Sequence, residues 1–178
     1  EKGILVAIGL KQLTQDTYRC MESLDDLTAD LAGWQLGQEK TNGRVRAPLS
    51  IETVLGERLQ KLSEQLERYG QDLKDANSRL EMMSASQRLS SLAASVDQWL
   101  QQKLEDSVYW LEQQTKSIQS RNTVRITMRS SPLDIGSHLR EHLFRKVKSV
   151  IMTSATVATG QSKGKGFAFF QGRIGAIG

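Results

Sequence analysis

Apolar residues recur at helical spacing through the first two-thirds of the chain. Residues 4–36 carry Ile4, Leu5, Ile8, Leu13, Tyr18, Cys20, Leu24, Leu27, Leu31 and Trp34, which fit a helical period from about Leu10 onward and predict one or two helices. Gly37 to Ser50 holds Gly37, Asn42-Gly43 and Pro48 together with basic Lys40, Arg44 and Arg46, and these turn formers predict an exposed loop. Beyond it Leu55, Leu59, Leu62, Leu66, Tyr69, Leu73, Ala76, Leu80 and Met83 alternate spacings of 4 and 3, a heptad-like seam that predicts one long amphipathic helix. A second stripe, Leu89, Leu92, Val96, Trp99 and Leu104, follows the polar stretch Ser84-Ala85-Ser86-Gln87, so an antiparallel helical hairpin turning at that stretch is expected. Gly70 lies inside the first of these helices at a cost of about 1 kcal/mol relative to alanine, which the seam can outweigh.

The period then changes. Val108-Tyr109-Trp110-Leu111 is short, aromatic and β-branched, and Val124, Ile126 and Met128 alternate with Arg125, Thr127 and Arg129, predicting two strands, the second with one basic face. Pro132 closes that strand. Asp134 is placed to cap a helix in which Ile135, Leu139 and Leu143 share a face, ending near Arg145-Lys146, where cations complement the helix dipole. Val147, Val150, Ile151 and Met152 form an apolar run leading into Thr153-Ser154-Ala155-Thr156, the pattern of a buried parallel strand with hydroxyls at its carboxyl end. The fold expected from this pattern is α/β: long helices first, then a helix followed by a buried parallel-sheet strand, whose carboxyl end is where such sheets bind ligands.

Charge sharpens this division. Residues 1–120 hold 14 Lys and Arg against 18 Asp and Glu, whereas residues 121–178 hold 10 against 2. A basic C-terminal third favours polyanions such as nucleic acid, with Arg125, Arg129, Arg145, Lys146 and Lys148 as the candidate contacts; a locally basic face without a ligand is the alternative. The single cysteine, Cys20, rules out an internal disulfide, a four-cysteine zinc site or an iron–sulfur cluster held by this chain alone. No apolar run approaches the roughly 20 residues of a membrane span and no secretory signal opens the chain, so a cytoplasmic protein without a membrane partner is expected. The start at Glu1 and the final Gly172-Arg173-Ile174-Gly175-Ala176-Ile177-Gly178 read as the ends of a piece of a longer chain.

Candidate catalytic motifs are sparse. Gly160-Gln161-Ser162-Lys163-Gly164-Lys165-Gly166 lacks the spacing of a phosphate-binding loop, Gly-x-x-x-x-Gly-Lys-Ser/Thr. His138 and His142 stand four apart with Glu141 between them, but a zinc metalloprotease needs its glutamate directly after the first histidine and a third ligand elsewhere. Ser154 lacks the glycine-flanked elbow of a hydrolase nucleophile. No catalytic residue is assigned.

In this setting Ser149-Val150-Ile151-Met152-Thr153-Ser154-Ala155-Thr156-Val157-Ala158 resembles the Ser-Ala-Thr motif of superfamily 2 helicases, in the DinG-like branch related to the XPD group. Glu105-Asp106-Ser107-Val108-Tyr109-Trp110-Leu111-Glu112 is similar to the Val-Tyr-Trp strand that leaves the helical insertion of that family. Ser131-Pro132-Leu133-Asp134-Ile135-Gly136 and Leu139-Arg140-Glu141-His142-Leu143-Phe144 resemble its approach to the Ser-Ala-Thr strand, and Phe167-Ala168-Phe169-Phe170-Gln171-Gly172-Arg173-Ile174-Gly175 resembles the segment that follows. The set runs in the family's order over about residues 105–175; Val157 replaces a usual leucine, and the glycine–lysine stretch 160–166 departs from the pattern.

The resemblance implies a mostly helical arch-like insertion over about residues 1–105, followed over about 106–178 by the incomplete start of a RecA-like second motor lobe of an ATP-dependent DNA helicase. Thr153, Ser154, Ala155 and Thr156 would couple the phosphate site to the DNA-gripping surface. It also implies ATP and Mg2+ in the complete protein, held by a Walker A lysine and an acidic box ahead of Glu1 and an arginine finger after Gly178, with neither held by this chain alone. Single-stranded DNA and the remaining helicase lobes would be the partners. The competing reading is a non-enzymatic helical interaction module whose seam binds a partner helix.

Overall fold

A computed structural model of the chain describes residues 11–38, 42–118, 121–153 and 167–176, except for the side chains of 115–118 and 121–124. It is mixed α/β. In chain order the elements are α1 (Lys11–Leu36), β1 (Arg44–Val45), α2 (Leu55–Asp72), α3 (Ala76–Leu100), β2 (Ser107–Ile118), β3 (Arg121–Pro132), α4 (Ile135–Leu139), a π-helical turn (Arg140–Phe144) and α5 (Ala168–Ile174). The contacts gather the described residues into two compact units, one from Glu1–Leu104 and Tyr109–Ser130, the other from Glu105–Val108 and Ser131–Gly178. No helix among the described residues is long and apolar enough to cross a membrane.

In the first unit α1 is a single helix that buries Leu13, Cys20, Leu27 and Leu31, one stripe of the predicted pattern, while Tyr18 and Leu24 point to solvent. Burial raises the Cys20 thiol above its ordinary pKa, with nearby Arg58 opposing and Asp16 adding to the shift. The Arg58 guanidinium donates to the carbonyl of Arg19 (2.9 Å) and to Ser23 Oγ (2.6 Å), tying α2 to the middle of α1.

Helices α2 and α3 form the expected antiparallel hairpin, but the chain turns at Leu73–Asp75 rather than at Ser84–Gln87. Leu73 leaves the helix in an extended conformation, and Asp75 restarts it by accepting from the Ser78 amide (2.7 Å), the satisfied-donor logic of an N-cap. That bond holds the Asp75 carboxyl below its usual pKa. Ser84–Gln87 stays helical, with Ser86 buried against the partner helix while Ser84 and Gln87 are exposed: buried Ser63 Oγ donates to the Ser86 carbonyl (2.9 Å) and lies 3.1 Å from Ser86 Oγ. Gly70 serves the same close approach, since a Cβ there would stand 3.1 Å from Met82 Cβ. The seam is therefore buried over Leu55, Leu59, Leu62 and Leu66 and then gives way to Met82, Ala93, Val96 and Trp99, with Tyr69 and Leu80 exposed.

The strands also extend beyond their predicted limits. β2 and β3 are 12 residues each and stand in a three-stranded antiparallel sheet of order β1-β2-β3. The predicted loop 37–50 supplies the edge strand: Arg44 pairs with Trp110 and Val45 with Tyr109. Gly43 makes this possible at φ +79°, its carbonyl accepting from the Leu111 amide (2.8 Å). Tyr109 and Leu111 of β2, Val45 of β1, and Ile126 and Met128 of β3 turn toward the helices, and the Trp99 indole, edge-on to Tyr109, donates to the Arg129 carbonyl (2.8 Å).

In the second unit Asp134 caps α4 as expected, accepting from the Gly136 amide (2.9 Å) and from Ser137 Oγ. These bonds lower its pKa, the Ser137 hydroxyl first. The predicted single helix changes to a π-helical turn at Arg140, whose guanidinium donates to the Gly175 carbonyl (3.1 Å), the left-handed residue that closes α5. The expected buried strand at Val147–Met152 is not formed. The run has no regular secondary structure, and Ile151 is 88% exposed with Val147 at 43% and Met152 at 40%. No described strand pairs with it, and an apolar run without strand neighbours has nothing to bury its faces. The sheet among the described residues is thus antiparallel and lies mostly in the helical unit, with only Ser107–Val108 of β2 and Ser131–Pro132 of β3 assigned to the other.

Candidate nucleic-acid interface

The antiparallel sheet has one face against the helices and one face turned away from them, and alternation decides which side chains occupy the second. With Val45, Tyr109, Leu111, Ile126 and Met128 directed inward, Arg44 of β1, Trp110 and Glu112 of β2, and Arg125, Thr127 and Arg129 of β3 are directed outward. Arg44 stands directly across from Trp110, so their Cβ atoms are cross-strand neighbours at about 5 Å. The Trp110 indole donates to Glu112 Oε1 (3.0 Å), and Glu112 Oε2 receives the Arg129 Nε–H (2.8 Å). A polar line therefore runs over the sheet from Trp110 through Glu112 to Arg129, with Arg44 paired to Trp110 in the strand register.

These bonds hold the Glu112 carboxyl below its usual pKa, the indole donor contributing most and Arg129 next. Glu112 is consequently ionised at neutral pH and compensates Arg129, leaving Arg44, Arg46 and Arg125 as the cations of this region without a described ion-pair partner. Arg44 and Arg46, two apart in extended chain, flank buried Val45 and line a cavity of about 490 Å3 that also touches Trp34 and Gln38.

The predicted contacts divide between the two units. Arg125 and Arg129 share the outer face of β3, both exposed, as the sequence alternation requires. Arg145, Lys146 and Lys148 are exposed in the short segment after the π-helical turn of the second unit. Thr153 is exposed and irregular, while Ser154, Ala155 and Thr156 lie outside the described residues. His138 and His142 are in edge-to-face contact, ring centroids 5.3 Å apart, and no group of three ligating side chains is assembled among the described residues. Trp110, Glu112 and Arg44 were not singled out from sequence as site residues. The alternation of β2 carried the signal for the first two, whereas Arg44 joins them only through the register of a two-residue strand.

No family model, curated protein or solved structure was found to match the chain.

Proposed function

We propose that the chain is part of an ATP-dependent DNA helicase of the DinG-like group, supplying an arch-like helical insertion and the start of a RecA-like motor lobe. The observation that carries the reading is the ordered set of family-like segments, from Val108-Tyr109-Trp110 through Ser131-Pro132-Leu133-Asp134 and Thr153-Ser154-Ala155-Thr156 to Arg173-Ile174-Gly175. The long helices α1 to α3 ahead of that set suit an insertion, and the outward arginines of β3 suit contact with a phosphate backbone. On this reading Val147–Met152, apolar and exposed, becomes a parallel strand when other strands of the motor lobe flank it. ATP and Mg2+ are held by residues other than those described.

The proposed division of labour follows from bond strengths. Arginine and lysine neutralise phosphates without reading sequence, which fits Arg125, Arg129, Arg145, Lys146 and Lys148 to a tracking role on single-stranded DNA. The hydroxyls of Thr153, Ser154 and Thr156 make hydrogen bonds worth about 0.5–1.5 kcal/mol net, a scale that permits exchange of partners as a phosphate departs. Exposed Leu80 and Tyr69 at the α2–α3 turn end favour the second reading, a helical module that binds a protein partner.

Single-stranded DNA binding across a salt series separates the two. Arg125→Ala is expected to weaken binding and to reduce the slope of log affinity against log salt by about one. Arg129→Ala is expected to do less alone, because Glu112 already compensates it. An unchanged affinity and slope in the double variant would remove this face from the helicase reading and leave the helical module.

A further inference from the structure

We infer that the outer face of the sheet is a stacking platform for a base of single-stranded DNA, with Trp110 as its floor and Glu112 as the residue that sets the indole's orientation. The inference rests on the nucleic-acid reading above and adds to it the group that meets the bases. Trp110 is half-buried, yet it does not belong to the apolar cluster that fills the space between sheet and helices. Its packing therefore does not explain it, and its outward position on a strand does not require an aromatic side chain.

What surrounds it is what a stacked base needs. A flat indole on a rigid strand offers a π-face that accepts any base, and cations beside it hold the flanking phosphates. Arg44 is the cross-strand partner of Trp110 on β1, and Arg129, bonded to Glu112, stands on the β3 side, so a cation lies on each neighbouring strand. Arg44 and Arg46 continue the cationic edge toward the cavity beside Trp34. The Nε1–H bond to Glu112 fixes the tilt of the indole, and the Arg129 bond fixes Glu112 in turn. A carboxylate on this face repels phosphate, so its pairing with Arg129 limits the repulsion and leaves the stacking surface usable. The platform lies wholly within the helical unit, which distinguishes it from the Arg145, Lys146 and Lys148 segment.

The test is binding of a fluorescein-labelled oligothymidylate of roughly 15 nucleotides, a length within single-strand site sizes, followed by anisotropy and by tryptophan emission. Trp110→Leu, which keeps an apolar side chain, is expected to lower affinity on the order of tenfold with the salt slope unchanged, because a stack is lost and no phosphate contact is. Trp110→Phe should keep most of the affinity while losing the share of the DNA-induced quenching that Trp110 contributes beside Trp34 and Trp99; this variant also decides the matter if Trp110→Leu fails to fold. Glu112→Gln, which releases Arg129, should tighten binding and steepen the salt dependence. Full affinity in Trp110→Leu, or quenching undiminished in Trp110→Phe, overturns the platform; if Arg125→Ala with Arg129→Ala still weakens binding, the nucleic-acid reading survives that failure. No binding by the parent protein even at about 50 mM salt, where phosphate contacts are strong, overturns both.

Discussion

Gly43→Ala is expected to destabilise the helical unit by about 3 kcal/mol, the upper end of what a non-glycine residue costs in a left-handed conformation. Two effects act together at this position. The backbone stands at φ +79°, and a Cβ would fall against the Leu111 carbonyl oxygen, a backbone atom that cannot swing aside. Relief of the clash requires β1 to leave β2, which breaks the Leu111 N–H bond to Gly43 and the Arg44–Trp110 and Val45–Tyr109 pairs. Urea unfolding followed by far-ultraviolet circular dichroism measures the loss. Gly33→Ala is the control: it lies in α1 with nothing within 4 Å of the added Cβ, so it should raise stability by about 0.5–1 kcal/mol. Equal effects of the two substitutions would contradict the assignment of Gly43 to the strand edge. Because β1 carries Arg44, folded Gly43→Ala protein should also bind DNA less tightly.

Leu27→Ala is expected to cost about 2–5 kcal/mol, the range for emptying a packed leucine site. Leu27 is 2% exposed, in the stripe that α1 turns toward the core, and the same stripe includes Leu31 at 2% and Leu13 at 1%. Leu24, three residues earlier and exposed, is the matched control; Leu24→Ala should change stability by less than about 0.5 kcal/mol. The pair distinguishes the buried stripe from a helix that is merely apolar on several sides. Similar midpoints for both variants in chemical denaturation would mean that α1 does not pack as described.

Much of the helical unit was legible in the sequence because leucine spacing and helix burial are the same information over Leu55 to Leu66 and Leu13 to Leu31. The hairpin turn was displaced because Ser86 and Ser63 look solvated in a sequence, whereas small hydroxyl residues and Gly70 are what let two helices approach closely. Asp75 followed by Ser78 held the correct cap signal but was overshadowed by the continuing apolar spacing through Leu73, Ala76 and Leu80. The inward and outward sides of β3 follow directly from Ile126 and Met128 alternating with Arg125 and Arg129. The platform proposed around Trp110 is not legible in this way, since its parts come from three separated segments and meet only through strand register. Val147–Met152 illustrates the opposite limit: its apolar composition is that of a buried strand, but burial depends on neighbours that composition does not supply.

The two units carry different parts of the proposed function. The sheet face of the helical unit offers cations and an indole to DNA, and the second unit leads from the Asp134-capped helix to Thr153 and the Ser-Ala-Thr segment beyond it. Coupling between them is the central claim, and it is most directly tested by steady-state ATP hydrolysis in the complete helicase proposed to contain this chain, with and without single-stranded DNA. The account predicts hydrolysis that DNA stimulates, and a Thr156→Ala variant that still binds DNA but whose hydrolysis no longer responds to it. Absence of hydrolysis in the full-length protein, or stimulation by DNA that is untouched in Thr156→Ala, would contradict it.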